Sequence, residues 1–554
     1  MEQIVECVPN VSEGKDRAIL DELSRVVASV AGVRVLDVDA GAETNRTVFT
    51  FVGAPGPIAE AAFQFIKRAG ELIDMRIHHG AHARIGATDV CPFVPVAGVT
   101  MQECVAIARS VGERVGRELA IPIYLYEAAA SSPARRNLAD VRKGEYEGLG
   151  AKLKDPVWKP DFGPATFAER QARTGASVIG ARPFLIAYNV NLNTRDKKLA
   201  NDIAFALRES GRAQKDASGT IVLDERGEKV MVPGRLKGVK GTGWVIEAYG
   251  CAQVSMNLTD SALTTLHAAF EACVEEAEKL GVRVTGSELV GLVPKQALLE
   301  AGAHFLRKTK RPDFASEAEL IHIAVMSMGL SQLGAFDPLK KVVEYQIAAP
   351  RPMAALTVDK FVDELASDSP APGGGSAAAL SGALAAGLVS MVAALSAQKI
   401  NTLGAIGARA QALKQALVDA IDSDTAAFNE VMTALRLPKG TPEQKSARDT
   451  ALEKANQGAT LVPLEVMRLA AETAELAATA ALECYAPSLS DAGVAALLAS
   501  ASCDGARYNV LINLQGIKDQ AFAKDTRAAA ETFVARARAA QAAASAKMQT
   551  TLGT

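Results

Sequence analysis

Apolar positions change their spacing near residue 350. Before that point short apolar runs alternate with longer stretches of helical period, and after it only the helical period survives. Residues 4–8, 33–38, 47–52 and 90–96 read as strands, with helices over 16–30 and from Pro57 to Met75. The order strand–helix–strand–strand–helix–strand is that of a split βαβ, or ferredoxin-like, unit. A helix over 101–119 and a strand over 121–125 extend it.

A similar order returns after a Gly- and Pro-containing connection at about 140–180. Strands are expected at 184–191, 243–248, 252–257 and from 282 onward, with helices at 196–209 and 261–280. Between them, 220–232 reads as an inserted hairpin turning at Gly227. The segment Ala348-Ala349-Pro350-Arg351-Pro352 then breaks any regular element. Beyond it Ala, Leu, Glu and Lys dominate, predicting helices over 357–367, 376–400, 405–433, 442–475, 488–502 and a last one to about 547. The expected chain is therefore multi-domain. Its N-terminal α/β half is two ferredoxin-like (split βαβ) sandwiches, 1–180 and 181–345; a linker spans 346–356, and 357–554 is an all-α helical bundle.

At 554 residues the chain is indeed too long for one core. An apolar content of 49% with 22% charge excludes disorder, and a net charge of −3 gives no reason to expect nucleic acid or an anionic membrane. The seven scattered cysteines form no C-x-x-C pair, and the start Met1-Glu2-Gln3-Ile4-Val5-Glu6 lacks the basic and apolar regions of a signal peptide. Both point to a reducing cytoplasm. Residues 377–397 carry no charge and are long enough to span a bilayer. Yet they are mostly Ala, Gly and Ser with no aromatic belt, and small residues recur four apart at Gly382/Ala386 and Ala383/Gly387. That composition predicts a helix buried in a bundle.

Three of the six histidines, His78, His79 and His82, fall within five residues just after a helix. Histidine both takes and gives a proton near neutrality. Incidental surface histidines are one alternative, and a metal held by His78 and His82 is another, although Gly80 interrupts the helix that would align them. The segments 10–14 and 37–41 sit at strand ends, where sites assemble in α/β proteins. Ser12 could merely cap the helix near Asp16. Arg46, after Asn45, could grip a carboxylate with both arms of its guanidinium. The loop 161–176 is polar, Gly-containing and aromatic, suited to a ligand or to an interdomain linker. In the second half Gly373, Gly374, Gly375 and Ser376 lead into a long helix, where N–H groups could converge on an anion; a hinge with a serine cap is the alternative. No Lys-Ser/Thr pair follows, so it is not a Walker loop. Asp419, Asp422 and Asp424 share one helical run, and a buried member could act as a general acid. The residues alone do not choose among the three.

The run Val5-Glu6-Cys7-Val8-Pro9-Asn10-Val11-Ser12-Glu13-Gly14, with Asp37-Val38-Asp39-Ala40-Gly41, Asn45-Arg46-Thr47 and the His82 loop, resembles the glutamate formiminotransferase family. Pro372-Gly373-Gly374-Gly375-Ser376, the Asp424 helix, Arg436-Leu437-Pro438-Lys439 and Tyr508-Asn509-Val510-Leu511-Ile512-Asn513 resemble formiminotetrahydrofolate cyclodeaminase. In this order on one chain they resemble the formiminotransferase-cyclodeaminase family. The resemblance implies a bifunctional folate enzyme of histidine degradation and one-carbon metabolism. It would move the formimino group of N-formimino-L-glutamate to tetrahydrofolate, then cyclise 5-formiminotetrahydrofolate to 5,10-methenyltetrahydrofolate with release of ammonia. Tetrahydrofolate is then a co-substrate, no metal is required, and the partners are small molecules, including folate polyglutamates. No nucleic acid or membrane is implied. The resemblance further implies a homo-oligomer with a dimeric cyclodeaminase half and a transferase built of two sandwiches around a tunnel.

Carried onto matching positions, His82 is the transferase acid/base and Asp424 the cyclodeaminase aspartate. Asp39, Asn45, Arg46, Gly163, Pro164, Phe167 and Gly175 would contact substrate or folate in the first half, and Gly373, Gly374, Gly375 and Ser376 folate in the second. Two departures stand out: Ala83 occupies a position where the family often has Pro, and about three extra residues lie around 169–173. The rival readings are a metal-dependent hydrolase on the His78/His82 pair and a non-catalytic folate-binding protein.

Overall fold

The computed structural model describes residues 3–42, 44–80, 83–348, 350–397 and 403–553. By contact the chain forms two compact units: Met1–Leu298 with Met328–Ile347, and Leu299–Ser327 with Ala348–Thr554.

The first unit holds a seven-stranded sheet made of β1 (Ile4–Cys7), β2 (Asn10–Val11), β3 (Val33–Gly41), β4 (Arg46–Gly53), β5 (Thr88–Ala97), β6 (Ile123–Glu127) and β7 (Ser177–Ala181). Pro9 has no N–H to donate and separates β1 from β2, which both run antiparallel to β4 and β5 as one interrupted strand. The order β3-β4-β1-β5 is antiparallel throughout, and β7 and then β6 add on in parallel. Side chains alternate across the pleat. Val5, Cys7, Phe49, Phe51, Cys91 and Phe93 are fully buried with Leu20, Leu23, Phe65 and Val111 of the helices Arg17–Ala28, Pro55–Leu72 and Met101–Leu119. Glu6, Val8, Asn10, Asp39 and Arg46 line a cavity with residues of the second sheet instead.

That second sheet has β8 (Ile186–Leu192), β11 (Val239–Ile246), β12 (Cys251–Leu258) and β13 (Val284–Val290) in the antiparallel order β11-β12-β8-β13, backed by helices Lys197–Leu207 and Leu266–Lys279. Between β8 and β11 lies a small ladder of β9 (Arg212–Ala213) and β10 (Met231–Val232). Its expected turn is present: Leu223 bridges Lys229 around Gly227, which takes positive φ, and a second turn at Gly219 precedes it.

Two features depart from the sequence reading. β7 lies inside the stretch expected to be only a connection, because Ser-Val-Ile-Gly-Ala is buried on both faces and shows no alternation. Leu299–Ser327, expected in the second sandwich, groups with the helical unit, where Phe314 packs with Ala393 and Leu403.

The helical unit is built on Gly374–Ser396, Leu403–Leu435, Pro442–Glu483, Leu489–Asn513 and Gln520–Leu552. Small residues let these helices approach closely. A Cβ on Gly382 would meet the Leu417 side chain at 3.0 Å and Ser502 Oγ at 2.8 Å. Gly374–Ser396 is long and apolar enough to cross a membrane by length and composition, and 56% of its most apolar window is buried inside the unit.

Candidate active sites

Hydrogen bonds gather the first-half motifs around Asn45, a non-glycine residue at positive φ. Its Oδ1 accepts from the Gly14 N–H at 3.0 Å and its Nδ2 donates to the His79 carbonyl at 2.8 Å. Thr47 Oγ1 donates to the Glu13 carbonyl. A Cβ on Gly14 would run into the Gly41 carbonyl and the Arg46 amide, so only glycine lets the 10–14 segment pass under the end of β3. Ser12 is not a helix cap: it donates to the Gly86 carbonyl at 2.8 Å, and Asp16 caps the following helix.

His78 is buried, with Nε2 at 2.9 Å from the Asn45 carbonyl and Nδ1 taking the Arg84 Nε–H at 3.4 Å. Burial lowers its pKa, the Asn45 contact opposes this and Arg84 adds to it. Both ring nitrogens are engaged, which leaves no lone pair for a metal. Arg84 donates to Glu147 at 2.6 Å and to Glu145 at 3.2 Å. The loop bearing His82 is thus anchored on either side, at His78 and at Arg84. His82 itself lies outside the described residues.

Asp39 and Arg46 face a cavity of about 380 Å³ that Glu6, Asn10, Asp37, Arg142 and Arg182 also line. Asn10 Oδ1 and Arg46 Nε are buried with no hydrogen-bond partner among the described residues. Burial, then the neighbouring Arg142, draws the Arg46 guanidinium down to about 10, against Asp89 and Asp39. Arg142 is already paired with buried Asp89. Burial pushes the Glu6 carboxyl up to about 7, opposed by Arg182, and raises Asp37 with help from Asp39. A second cavity of about 620 Å³ shares Tyr126, Arg142, Arg182 and Asn257 with the first and reaches Ala83, next to His82.

Gly163, Pro164, Phe167 and Gly175 do not line the Arg46 cavity. Gly163, at positive φ, packs on Gly116 and the Ile121 carbonyl, and Gly175 packs on Gly86. Phe167 is exposed and lies 6.4 Å from the Tyr146 ring, whose own N–H bonds to the Arg84 carbonyl. Phe167 is thus linked through Tyr146 to Arg84. The extra residues at 169–173 form a short helix, Glu169–Thr174.

In the helical unit the three aspartates separate cleanly. Asp419 pairs with Arg351 at 2.7 Å, and Asp422 accepts from the Met353 and Ala354 amides at 2.8 and 2.9 Å. Both tie down the linker. Asp424 instead sits at the head of Gly374–Ser396, accepting from the fully buried Ser376 hydroxyl at 2.9 Å and from its N–H. Burial raises its pKa, and the Ser376 bonds oppose this. The carboxyl group at this helix N-terminus is that of Asp424. Gly375 is pressed against that carboxylate, whereas a Cβ on Gly374 would meet only the Asn509 side chain at 3.5 Å. Gly373, the N-cap, would meet nothing within 4 Å. Asn509, quoted above only as part of a motif, therefore borders the site, a fact its place in the sequence does not reveal.

Residues 4–182 match the family described as formiminotransferase domain, N-terminal subdomain; 187–348 match formiminotransferase domain; and 357–532 match formiminotransferase-cyclodeaminase. The formimidoyltransferase-cyclodeaminase of Rattus norvegicus is 42% identical over 541 residues, 95% of either chain. The glutamate formimidoyltransferase of Streptococcus pyogenes serotype M1 is 44% identical over 307 residues, 55% of this chain and 94% of its own. The methenyltetrahydrofolate cyclohydrolase of Methylorubrum extorquens is 40% identical over 187 residues, 33% of this chain and 90% of its own. The chain belongs to the formiminotransferase-cyclodeaminase family.

Proposed function

We propose that this chain transfers the formimino group of N-formimino-L-glutamate to tetrahydrofolate in its first half and closes the product to 5,10-methenyltetrahydrofolate in its second, releasing ammonia. The observation that carries the reading is Asp424, a half-buried carboxyl held by Ser376 at a helix head. In the closing step folate N10 attacks the formimino carbon, and ammonia leaves only if its nitrogen is protonated. A carboxyl whose pKa burial raises is a better proton donor for that step than an exposed one.

In the first step folate N5 attacks the amidine carbon and loses a proton, while the departing glutamate nitrogen gains one. His82 serves both transfers on this reading. Arg46, with its unpartnered buried Nε, grips a glutamate carboxylate, and Asp39 faces the cationic formimino group. Gly163, Pro164, Phe167 and Gly175 form the folate side of the loop, with the exposed Phe167 ring available for stacking on the pterin. In the second half Gly373, Gly374, Gly375 and Ser376 place folate over Asp424.

The matches at 4–182 and 187–348 support keeping 1–180 and 181–345 as the two transferase subdomains, with 346–356 as linker and 357–554 as cyclodeaminase. The shared strand orders β3-β4-β1-β5 and β11-β12-β8-β13 support reading each as ferredoxin-like. Exposed Leu384, Met391 and Leu395 recur seven and four residues apart, which supports a face for pairing two helical halves in a homo-oligomer. Seven free cysteines support a reducing, cytoplasmic setting, and no metal enters either reaction. The test supplies formiminoglutamate and tetrahydrofolate to the full chain and reads ammonia together with folate products by chromatography. Ammonia release that depends on both substrates is expected; its absence with folded protein contradicts the reading.

A further inference from the structure

The cavity that Asp39 and Arg46 face holds two separate groups of charge. Besides burial, Arg46 feels Arg142, Asp89 and Asp39, whereas Glu6 feels Arg182 and Glu344. The strand register explains the separation. Arg46 lies six positions before Val52, the β4 partner of Glu6, which is about 20 Å of strand. Arg182 follows β7 with its N–H on the Phe93 carbonyl, at the Glu6 end. Val5 and Cys7 are buried against the helices, so Glu6 between them points into the cavity. Its buried carboxyl takes no hydrogen bond from the described residues. Arg182 donates to the Pro183 carbonyl at 3.0 Å and to the Tyr126 hydroxyl, and forms no ion pair among the described residues. Arg142, the remaining cation of the lining, is taken by Asp89.

Formiminoglutamate brings two carboxylates and one amidinium. On the reading above, Arg46 holds one carboxylate and Asp39 the amidinium, and these two residues feel each other. The amidinium is carried on the α-carbon, so the carboxylate beside it, at Arg46, is the α one. The γ-carboxylate is left for the other end. Resting on that reading, we propose that Arg182 and Glu6 form a second carboxylate site that holds the γ-carboxylate of formiminoglutamate, Arg182 by its charge and Glu6 by donating the proton of its neutral acid. An ionised Glu6 repels the substrate and neutralises Arg182, whereas a carboxylic acid beside a bound carboxylate shares its proton with it. Binding therefore takes up a proton wherever Glu6 starts ionised. Burial pushes the Glu6 carboxyl up to about 7; Arg182 favours its ionised form and Glu344 its protonated one. Asp37, Asp39, Arg46, Arg142 and Tyr126 complete the charged and titratable lining. The two ends together select a chain of glutamate length with a charge at its tip.

The experiment measures formimino transfer to tetrahydrofolate by the full chain from N-formimino-L-glutamate and from N-formimino-L-glutamine, whose γ-amide is uncharged. Both are run on either side of about pH 7. The amide should be poorer by about 30-fold or more in kcat/KM, through KM. KM for formiminoglutamate should rise by about tenfold per pH unit above the Glu6 pKa. Arg182→Gln, with its fold verified by circular dichroism, should lose the discrimination. Glu6→Gln donates an N–H but cannot ionise, so it should keep the discrimination with a KM that no longer rises with pH. Equal use of the two substrates by the unmodified chain overturns the inference and leaves the proposed function standing. Discrimination that survives in folded Arg182→Gln overturns the part given to Arg182, and an unchanged pH profile in Glu6→Gln overturns that given to Glu6. If neither substrate is used, the proposed function falls and the inference falls with it.

Discussion

Glu6 offers a titration that reports directly on the transferase cavity. It points from the interrupted first strand to the sheet face opposite the helices, and only 2% of it is exposed. Burial lifts its pKa from 4.5 to about 7, with Arg182 opposing. Because the folded form binds its proton more tightly, the group costs little below 4.5, increasingly more between 4.5 and about 7, and a constant amount above. At 1.36 kcal/mol per pKa unit that full cost is about 3 kcal/mol. Glu6→Gln keeps the size and cannot ionise, so it should stabilise the first unit by about 3 kcal/mol at about pH 8 and by about 1 kcal/mol at about pH 5. For a unit this large each kcal/mol moves Tm by about 2–4 °C. Both tryptophans, Trp158 and Trp244, lie in this unit, so thermal unfolding followed by tryptophan fluorescence reads it without interference from the helical one. An equal Tm difference at the two pH values, or a variant less stable at the higher one, refutes the reasoning.

Gly375→Ala should drive a methyl group into the Asp424 carboxylate and lower cyclisation by about 10²-fold or more, while Gly374→Ala, with only Asn509 at 3.5 Å, should leave the carboxyl in place and show a smaller loss through folate binding alone. Ammonia release from supplied intermediate decides, and equal losses in the two variants would contradict the geometry. Arg46→Lys keeps the charge but not the fork, so KM for formiminoglutamate should rise about tenfold with cyclisation of supplied intermediate unchanged. An unaltered KM in steady-state kinetics would remove Arg46 from substrate binding.

Much of this architecture is written in local pattern. Asp16, Thr100 and Asp196 cap helices that begin where the helical period begins, and Thr100 forms a capping box with Glu103. What escapes local pattern is what tertiary packing decides. β7 is five buried residues with no alternation, and Leu299–Ser327 shows its allegiance only through Phe314 and its partners. The aspartates show the same limit. Spacing along one helix cannot say that Asp419 and Asp422 hold the linker while Asp424 meets Ser376, 48 residues away in sequence. The glycine loop was legible as a helix head, but the Asp424 side chain lying against it was not. Asn45 was legible as a polar residue at a strand end, and its bonds to Gly14 and His79 make it the brace of the site.

The central claim is that one chain carries two separate acid–base centres. Both partial reactions are measured on His82→Ala and on Asp424→Asn, with circular dichroism verifying the fold. His82→Ala should lose about 10²–10⁴-fold in formimino transfer and keep cyclisation of supplied 5-formiminotetrahydrofolate. Asp424→Asn, equal in size but unable to donate a carboxylic proton, should transfer normally, accumulate 5-formiminotetrahydrofolate and release little ammonia. A substitution that lowers both reactions equally in folded protein contradicts the account.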